Sequence, residues 1–201
     1  MSKQSTYVIA IVAGLGIGAW ALVQFAPKHV GAEVGSRAPA FSAVDLGTGK
    51  VSSLNDHYKG QVTLVNIWAT WCLPCRAEMP AMEKLYKEFG PAGFRIAAVS
   101  IDEGGPDAVK QFARDFGITF DVLHDASGKI QEIDQTTGYP ESFLLDRDGV
   151  IVKKVIGEHP WSSENSRRLI AQLLGVKVGT PPAAPDSAAA ASPVEVKPVS
   201  R

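Results

Sequence analysis

Between Val62 and Leu174 the apolar positions change period several times, and each change marks an element. Val62-Thr63-Leu64-Val65-Asn66-Ile67-Trp68 is β-branched, aromatic and hydrophobic nearly throughout, which predicts a strand buried on both faces. After Trp71-Cys72-Leu73-Pro74-Cys75, the residues Met79, Met82, Leu85, Tyr86 and Phe89 form one helical stripe stopped by Gly90, with Pro80 predicting a kink. A second buried strand is predicted over Phe94–Ile101, a helix over Pro106–Phe116 ended by Gly117, and a short strand over Phe120–Leu123. Ser142–Leu145 and Val150–Ile156 flank Asp146-Arg147-Asp148-Gly149, a hairpin signature. Leu169, Ile170, Leu173 and Leu174 give an amphipathic helix over Trp161–Leu174, stopped by Gly175. Upstream, Phe41–Leu54 reads as an N-terminal hairpin turning at Leu46-Gly47-Thr48-Gly49-Lys50. The order predicts an α/β fold with a central mixed β-sheet flanked by helices, and no internal repeat is visible.

The two ends differ from this middle. Residues 1–6 lead into an uncharged stretch, 7–26, in which Gln24 is the one strongly polar side chain. Its 20 residues at about 1.5 Å each match a bilayer core of roughly 30 Å, so a signal-anchor helix is expected. A cleaved signal peptide is the alternative, because Val30-Gly31-Ala32 resembles a cleavage region. Residues 27–34 read as a stem and 35–178 as one folded domain of 144 residues. Residues 179–201 hold five of the chain's 13 prolines and no aromatic, so they read as a disordered tail.

Composition then narrows the function. Twenty basic and 21 acidic residues give a net charge of −1, which argues against a nucleic-acid partner. Two cysteines in all exclude a disulfide-scaffolded miniprotein and a four-cysteine zinc module. Both sit where a buried strand meets a helix. Cys72 falls at the helix N-terminus, where free N–H groups and the macrodipole favour a thiolate, while Cys75 lies one turn inside and is shielded. That asymmetry makes Cys72 the attacking thiol and Cys75 the resolving thiol of a redox pair. Three other uses compete: a structural disulfide, whose loop is too short to constrain the unfolded chain much; half of a zinc site, for which His57, His124 and His159 show no paired spacing; and a copper site of two thiolates and a histidine. No metal site and no cofactor beyond the Cys72–Cys75 pair is expected.

The segment Asn66-Ile67-Trp68-Ala69-Thr70-Trp71-Cys72-Leu73-Pro74-Cys75-Arg76-Ala77-Glu78-Met79-Pro80 resembles the active-site region of the thioredoxin superfamily, in particular its membrane-tethered TlpA/ResA/CcmG-like branch. The resemblance covers roughly residues 35–175 and implies a thioredoxin-like fold with the N-terminal β-hairpin as an extension. It implies a cis proline facing the dithiol, which Gly138-Tyr139-Pro140-Glu141-Ser142 matches, with Trp71, Pro74, Tyr139, Pro140 and Glu141 lining the approach of a partner peptide. Asn66 stands where cytoplasmic thioredoxins carry a buried aspartate, and Glu78 is the acid that the branch places three residues after its second cysteine. Glu78 would accept the proton of Cys75; Glu141 is an acid at the edge of the site or a plain turn residue.

The resemblance implies a monomeric protein disulfide reductase on the periplasmic side of a bacterial membrane. Its substrates would be exported cysteine-containing proteins of cytochrome c-type biogenesis or copper-site maturation, and a membrane dithiol donor would re-reduce it. A peroxiredoxin-like peroxidase is disfavoured because Val65 and Ala69 occupy the positions of its proline and threonine. A copper metallochaperone is disfavoured by the two-residue gap between the cysteines.

Overall fold

The computed structural model describes residues 12–18, 20 and 31–178. Residues 12–18 are helical, but most of the expected span at 7–26 and all of the tail at 179–201 lie outside the described residues. Among the described residues no helix is long and apolar enough to cross a membrane.

Seven strands form one sheet: β1 (Ser42–Asp45), β2 (Val51–Ser53), β3 (Val62–Trp68), β4 (Phe94–Ser100), β5 (Asp121–His124), β6 (Glu141–Leu145) and β7 (Ile151–Ile156). Their spatial order is β2-β1-β5-β4-β3-β6-β7. The parallel pairs are β3–β4 and β4–β5; the outer pairs are antiparallel, so the sheet is mixed as the sequence predicts. The helices are α1 (Leu54–His57), α2 (Leu73–Phe89), α3 (Asp107–Asp115), α4 (Lys129–Asp134) and α5 (Glu164–Leu174).

Every residue of β3 is buried, which explains its nearly continuous apolar run. Adjacent side chains of a strand point to opposite faces. Asn66 of β3 and Ser142 of β6 face α2, which shares its side of the sheet with α5 through an Arg167–Glu88 ion pair. Thr63 and Val65 face the other side, where they line a cavity of about 440 Å³ with Ile130 and Asp134 of α4. The disulfide loop contributes nothing to that cavity.

Two local differences from the sequence reading have physical causes. The last helix begins at Glu164 rather than Trp161, because Ser163 is extended and its hydroxyl caps the N–H of Ser166. Trp161 instead sits in the preceding turn, 1% exposed. The short helices α1 and α4 are additions; α4 has only six residues and ends on Gln135 in the left-handed region, with no glycine to signal a stop. At the predicted Asp146–Gly149 turn, the Asp146 carboxylate accepts from the N–H groups of Asp148 and Val150, and Gly149 takes φ +74°. The N-terminal hairpin is present, and because β1 pairs with β5 it extends the sheet directly.

The core is tightest along β3 and β4, where Leu64, Ile67, Ile96 and Val99 are fully enclosed. Ile96→Ala is expected to cost about 2–5 kcal/mol through lost apolar burial and the cavity left behind. Urea unfolding followed by tryptophan fluorescence measures it.

Candidate active site

β3 ends at Trp68, the chain turns through Ala69-Thr70-Trp71, and α2 starts immediately after Cys72. Cys72 is the N-cap of α2, with extended backbone at φ −82° and ψ 105°. Its sulfur accepts from the Cys75 N–H at 3.3 Å, so the helix N-terminus points a free donor at that atom. The two sulfurs are joined in a disulfide of 2.03 Å. Cys72 is 5% exposed and Cys75 is wholly enclosed, so an external thiol or disulfide meets Cys72 first. Pro74 occupies the first turn of α2, where its missing N–H costs nothing, and α2 continues through Pro80 to Phe89.

The surroundings are apolar and open on the outer side. Trp71 and Leu73 are largely exposed, and the Trp71 ring meets the Tyr139 ring edge-on at 6.0 Å. The Tyr139–Pro140 peptide is cis. The hydroxyl of Tyr139 donates to the Gln131 side chain of α4, tying the loop before β6 to that helix.

Beneath the disulfide lies a buried polar group of a kind that needs every partner it can find. Asn66 Nδ2 donates to Glu78 Oε1 at 2.8 Å and to Ser142 Oγ at 2.9 Å. The His159 N–H donates to Glu78 Oε2 at 3.2 Å. Glu78 lies one helical turn beyond Cys75 and is 2% exposed. Burial, reinforced by the charge of Glu158, pushes its carboxyl up to about 7; the donors from His159 and Asn66 and the nearby Trp161 indole only partly offset this. Among the described residues Asn66 Oδ1 has no hydrogen-bond partner. A carboxyl that titrates near neutrality, one turn from the enclosed sulfur, is chemically suited to take a proton and return it.

Glu141, the residue after Pro140, is fully buried and forms an ion pair with Lys154 at 3.4 Å. It is therefore an enclosed acid in the strand, not a solvated turn residue. Asp134, which the sequence did not single out, sits near it and is pushed up to about 7, first by burial and then by the Glu141 charge, against the pull of Lys154. An acid raised from 3.8 to about 7 on folding keeps its proton in the folded state over that interval while the unfolded chain loses it, so stability falls as pH rises from about 4 to about 7. Asp134→Asn should remove that slope and gain about 1–3 kcal/mol at pH 8, the gain shrinking toward pH 4. Thermal unfolding at several pH values tests it.

Among the described residues no cluster of three metal-binding side chains occurs.

Residues 33–170 match the Redoxin family. The chain belongs to that family, in the TlpA/ResA/CcmG-like group of the thioredoxin superfamily. The Redoxin chain is 40% identical over 156 residues to the thioredoxin-like protein YneN of Bacillus subtilis, covering 75% of this chain and 88% of that one. It is 34% identical over 151 residues to the thiol-disulfide oxidoreductase ResA of Bacillus cereus, covering 75% and 86%. The thioredoxin domain of a thiol-disulfide oxidoreductase from Bacteroides vulgatus superposes with a TM-score of 0.62 at 28% identity, covering 71% of this chain and 98% of that one. This Redoxin protein is a thiol–disulfide oxidoreductase with a thioredoxin-like fold.

Proposed function

We propose that the chain is a protein disulfide reductase held on the outer face of a bacterial membrane by residues 7–26. The observation that carries the catalytic part is the pairing of a marginally accessible Cys72 with an enclosed Cys75 one turn from Glu78.

In the reduced enzyme, the Cys72 thiolate attacks one sulfur of a substrate disulfide and forms a mixed disulfide, releasing the other substrate sulfur as a thiolate. The Glu78 carboxylate takes the proton from Cys75, whose sulfur then attacks Cys72 Sγ. The second substrate thiolate leaves, two electrons have passed to the substrate, and the enzyme holds the Cys72–Cys75 disulfide. Trp71, Pro74, Tyr139, Pro140 and Glu141 frame the approach: the first four as an apolar rim for an extended peptide, Glu141 as the enclosed charge behind it. A membrane dithiol donor would return the electrons. Substrates with paired cysteines, such as the haem-binding thiols of apocytochrome c or the cysteines of copper-delivery proteins, suit this direction.

The reductive direction is supported by a base available at neutral pH to the resolving thiol. Equilibrating the protein with dithiothreitol or glutathione buffers measures the potential of the pair. A value well below the glutathione poise is expected; one near that of disulfide-forming oxidases would overturn the reductive reading. Fractionation of cells expressing the full chain, compared with a variant lacking residues 7–26, tests the anchor: the full chain should sediment with membranes and the shortened one should not.

A further inference from the structure

Between Trp68 and Cys72 the chain must leave β3 and deliver Cys72 to the start of α2, and it does so through Thr70. Both sides of the Thr70 residue are held by side chains from elsewhere. The buried Asp102, just past β4, accepts the Thr70 N–H with both carboxylate oxygens, at 2.9 and 3.2 Å. It also accepts the Thr70 hydroxyl and the Ser100 hydroxyl, the latter at 2.7 Å. Asp102 is itself fixed: its N–H donates to Ser100 Oγ at 3.1 Å, its carbonyl meets His124 Nε2 at 2.9 Å, and the preceding Ile101 N–H bonds to Trp68 O at 2.9 Å. On the other side, the exposed Arg76 of α2 donates to the Thr70 carbonyl at 3.3 Å. Its guanidinium lies over the rings of Phe112 and Phe116 of α3, 5.4 and 5.5 Å from their centroids.

We propose that Asp102 and Arg76 clamp Thr70 from its two ends and thereby position Cys72 as the attacking sulfur. The chemistry depends on the sulfur's alignment with the free N–H of Cys75, and that alignment depends on where the N-cap backbone sits. A loop of three residues tied only at its ends would let the cap rotate. Two side chains from different elements remove that freedom before substrate arrives, which is the usual use of a supporting shell around a reacting group. Both are positioning residues, since neither touches the sulfurs. The proposal rests on the reading of Cys72 as the nucleophile.

The sign of the charges separates a clamp from a field effect. Asp102→Ala removes a negative charge near the thiolate and Arg76→Ala removes a positive one, so a purely electrostatic influence moves Cys72 reactivity in opposite directions in the two variants. Loss of a clamp moves both the same way. The measurement is the alkylation rate of reduced Cys72 by iodoacetamide at pH 7, with insulin reduction and the thermal midpoint recorded alongside. Asp102→Ala is expected to slow both reactions about five- to tenfold and Arg76→Ala about two- to threefold. Asp102→Asn keeps an acceptor for the Thr70 N–H and should return to within about twofold of the parent. If Asp102→Ala unfolds, Asp102→Asn still separates the two readings, because a field effect speeds it while slowing Arg76→Ala, whereas the clamp leaves it near the parent. Opposite shifts, or a lowered midpoint with unchanged alkylation, would overturn the clamp. Full activity in Cys72→Ser would instead overturn the reading beneath it.

Discussion

Cys72→Ser is expected to reduce insulin-disulfide reduction to the uncatalysed background while leaving the fold in place. The remaining sulfur, Cys75, has no exposed surface, so it cannot substitute as the attacking group. A serine hydroxyl at the N-cap still accepts from the backbone of the first turn, and serine is among the preferred residues at that position, so the helix start survives. Cys75→Ser should behave differently. Its Cys72 attacks normally but is not resolved, and the mixed disulfide accumulates as a mass-detectable adduct. Substantial turnover by Cys72→Ser would remove the basis of the mechanism.

The second large effect is at Glu78, where activity and stability should move in opposite directions. Glu78→Gln keeps the shape and the hydrogen bond from Asn66 to an oxygen, but it cannot take the proton of Cys75. Resolution of the mixed disulfide is expected to slow about 10²-fold at pH 7, at the lower end of what a positioned base contributes. The parent's rate should climb as pH rises through about 7, where the carboxyl becomes a base, and the variant should lose that rise. Stability runs the other way. On folding the carboxyl goes from 4.5 to about 7, so it stays protonated in the folded state after the unfolded chain has given its proton up. The parent therefore loses stability from about pH 4.5 to about pH 7 and levels off above, whereas the glutamine form has no such slope. A gain of about 1–3 kcal/mol at pH 8 is expected, measured by denaturant titration at pH 5 and pH 8. A variant that is both slow and destabilised at pH 8 would argue that Glu78 is a packing group. The burial that raises the Glu78 carboxyl toward neutrality is the same burial that costs the folded state stability, a trade common at functional sites.

Glu78, Glu141 and Asp134 are enclosed carboxyls whose partners differ. Glu78 has neutral donors, Glu141 has Lys154, and Asp134 faces the repulsion of Glu141. Only the first is placed one turn from a sulfur.

Much of this was legible in the chain itself. The buried runs of β3 and β4, the stripe of α2 and the two cysteines at the junction are local patterns, because side-chain period and capping depend on residues a few positions apart. The same local signals placed Cys72 outside and Cys75 inside, and the segment from Asn66 to Pro80 was enough to indicate the family. What the letters alone could not determine were contacts made by distant segments. Asn66 meets Ser142 across 76 positions and Thr70 meets Asp102 across 32, because β6 returns antiparallel beside β3 while β4 lies parallel on its other side. Likewise, nothing near Asp134 marks it as buried; it becomes so because its short helix is laid over the far face of the sheet. The placement of Cys72 at the helix N-terminus and of Cys75 one turn inside was thus a property of sequence, set by capping and period over one turn. The raised Glu78 carboxyl and the hydrogen bonds on Thr70 were decided by tertiary structure, because burial and long-range hydrogen bonding exist only once the strands have paired.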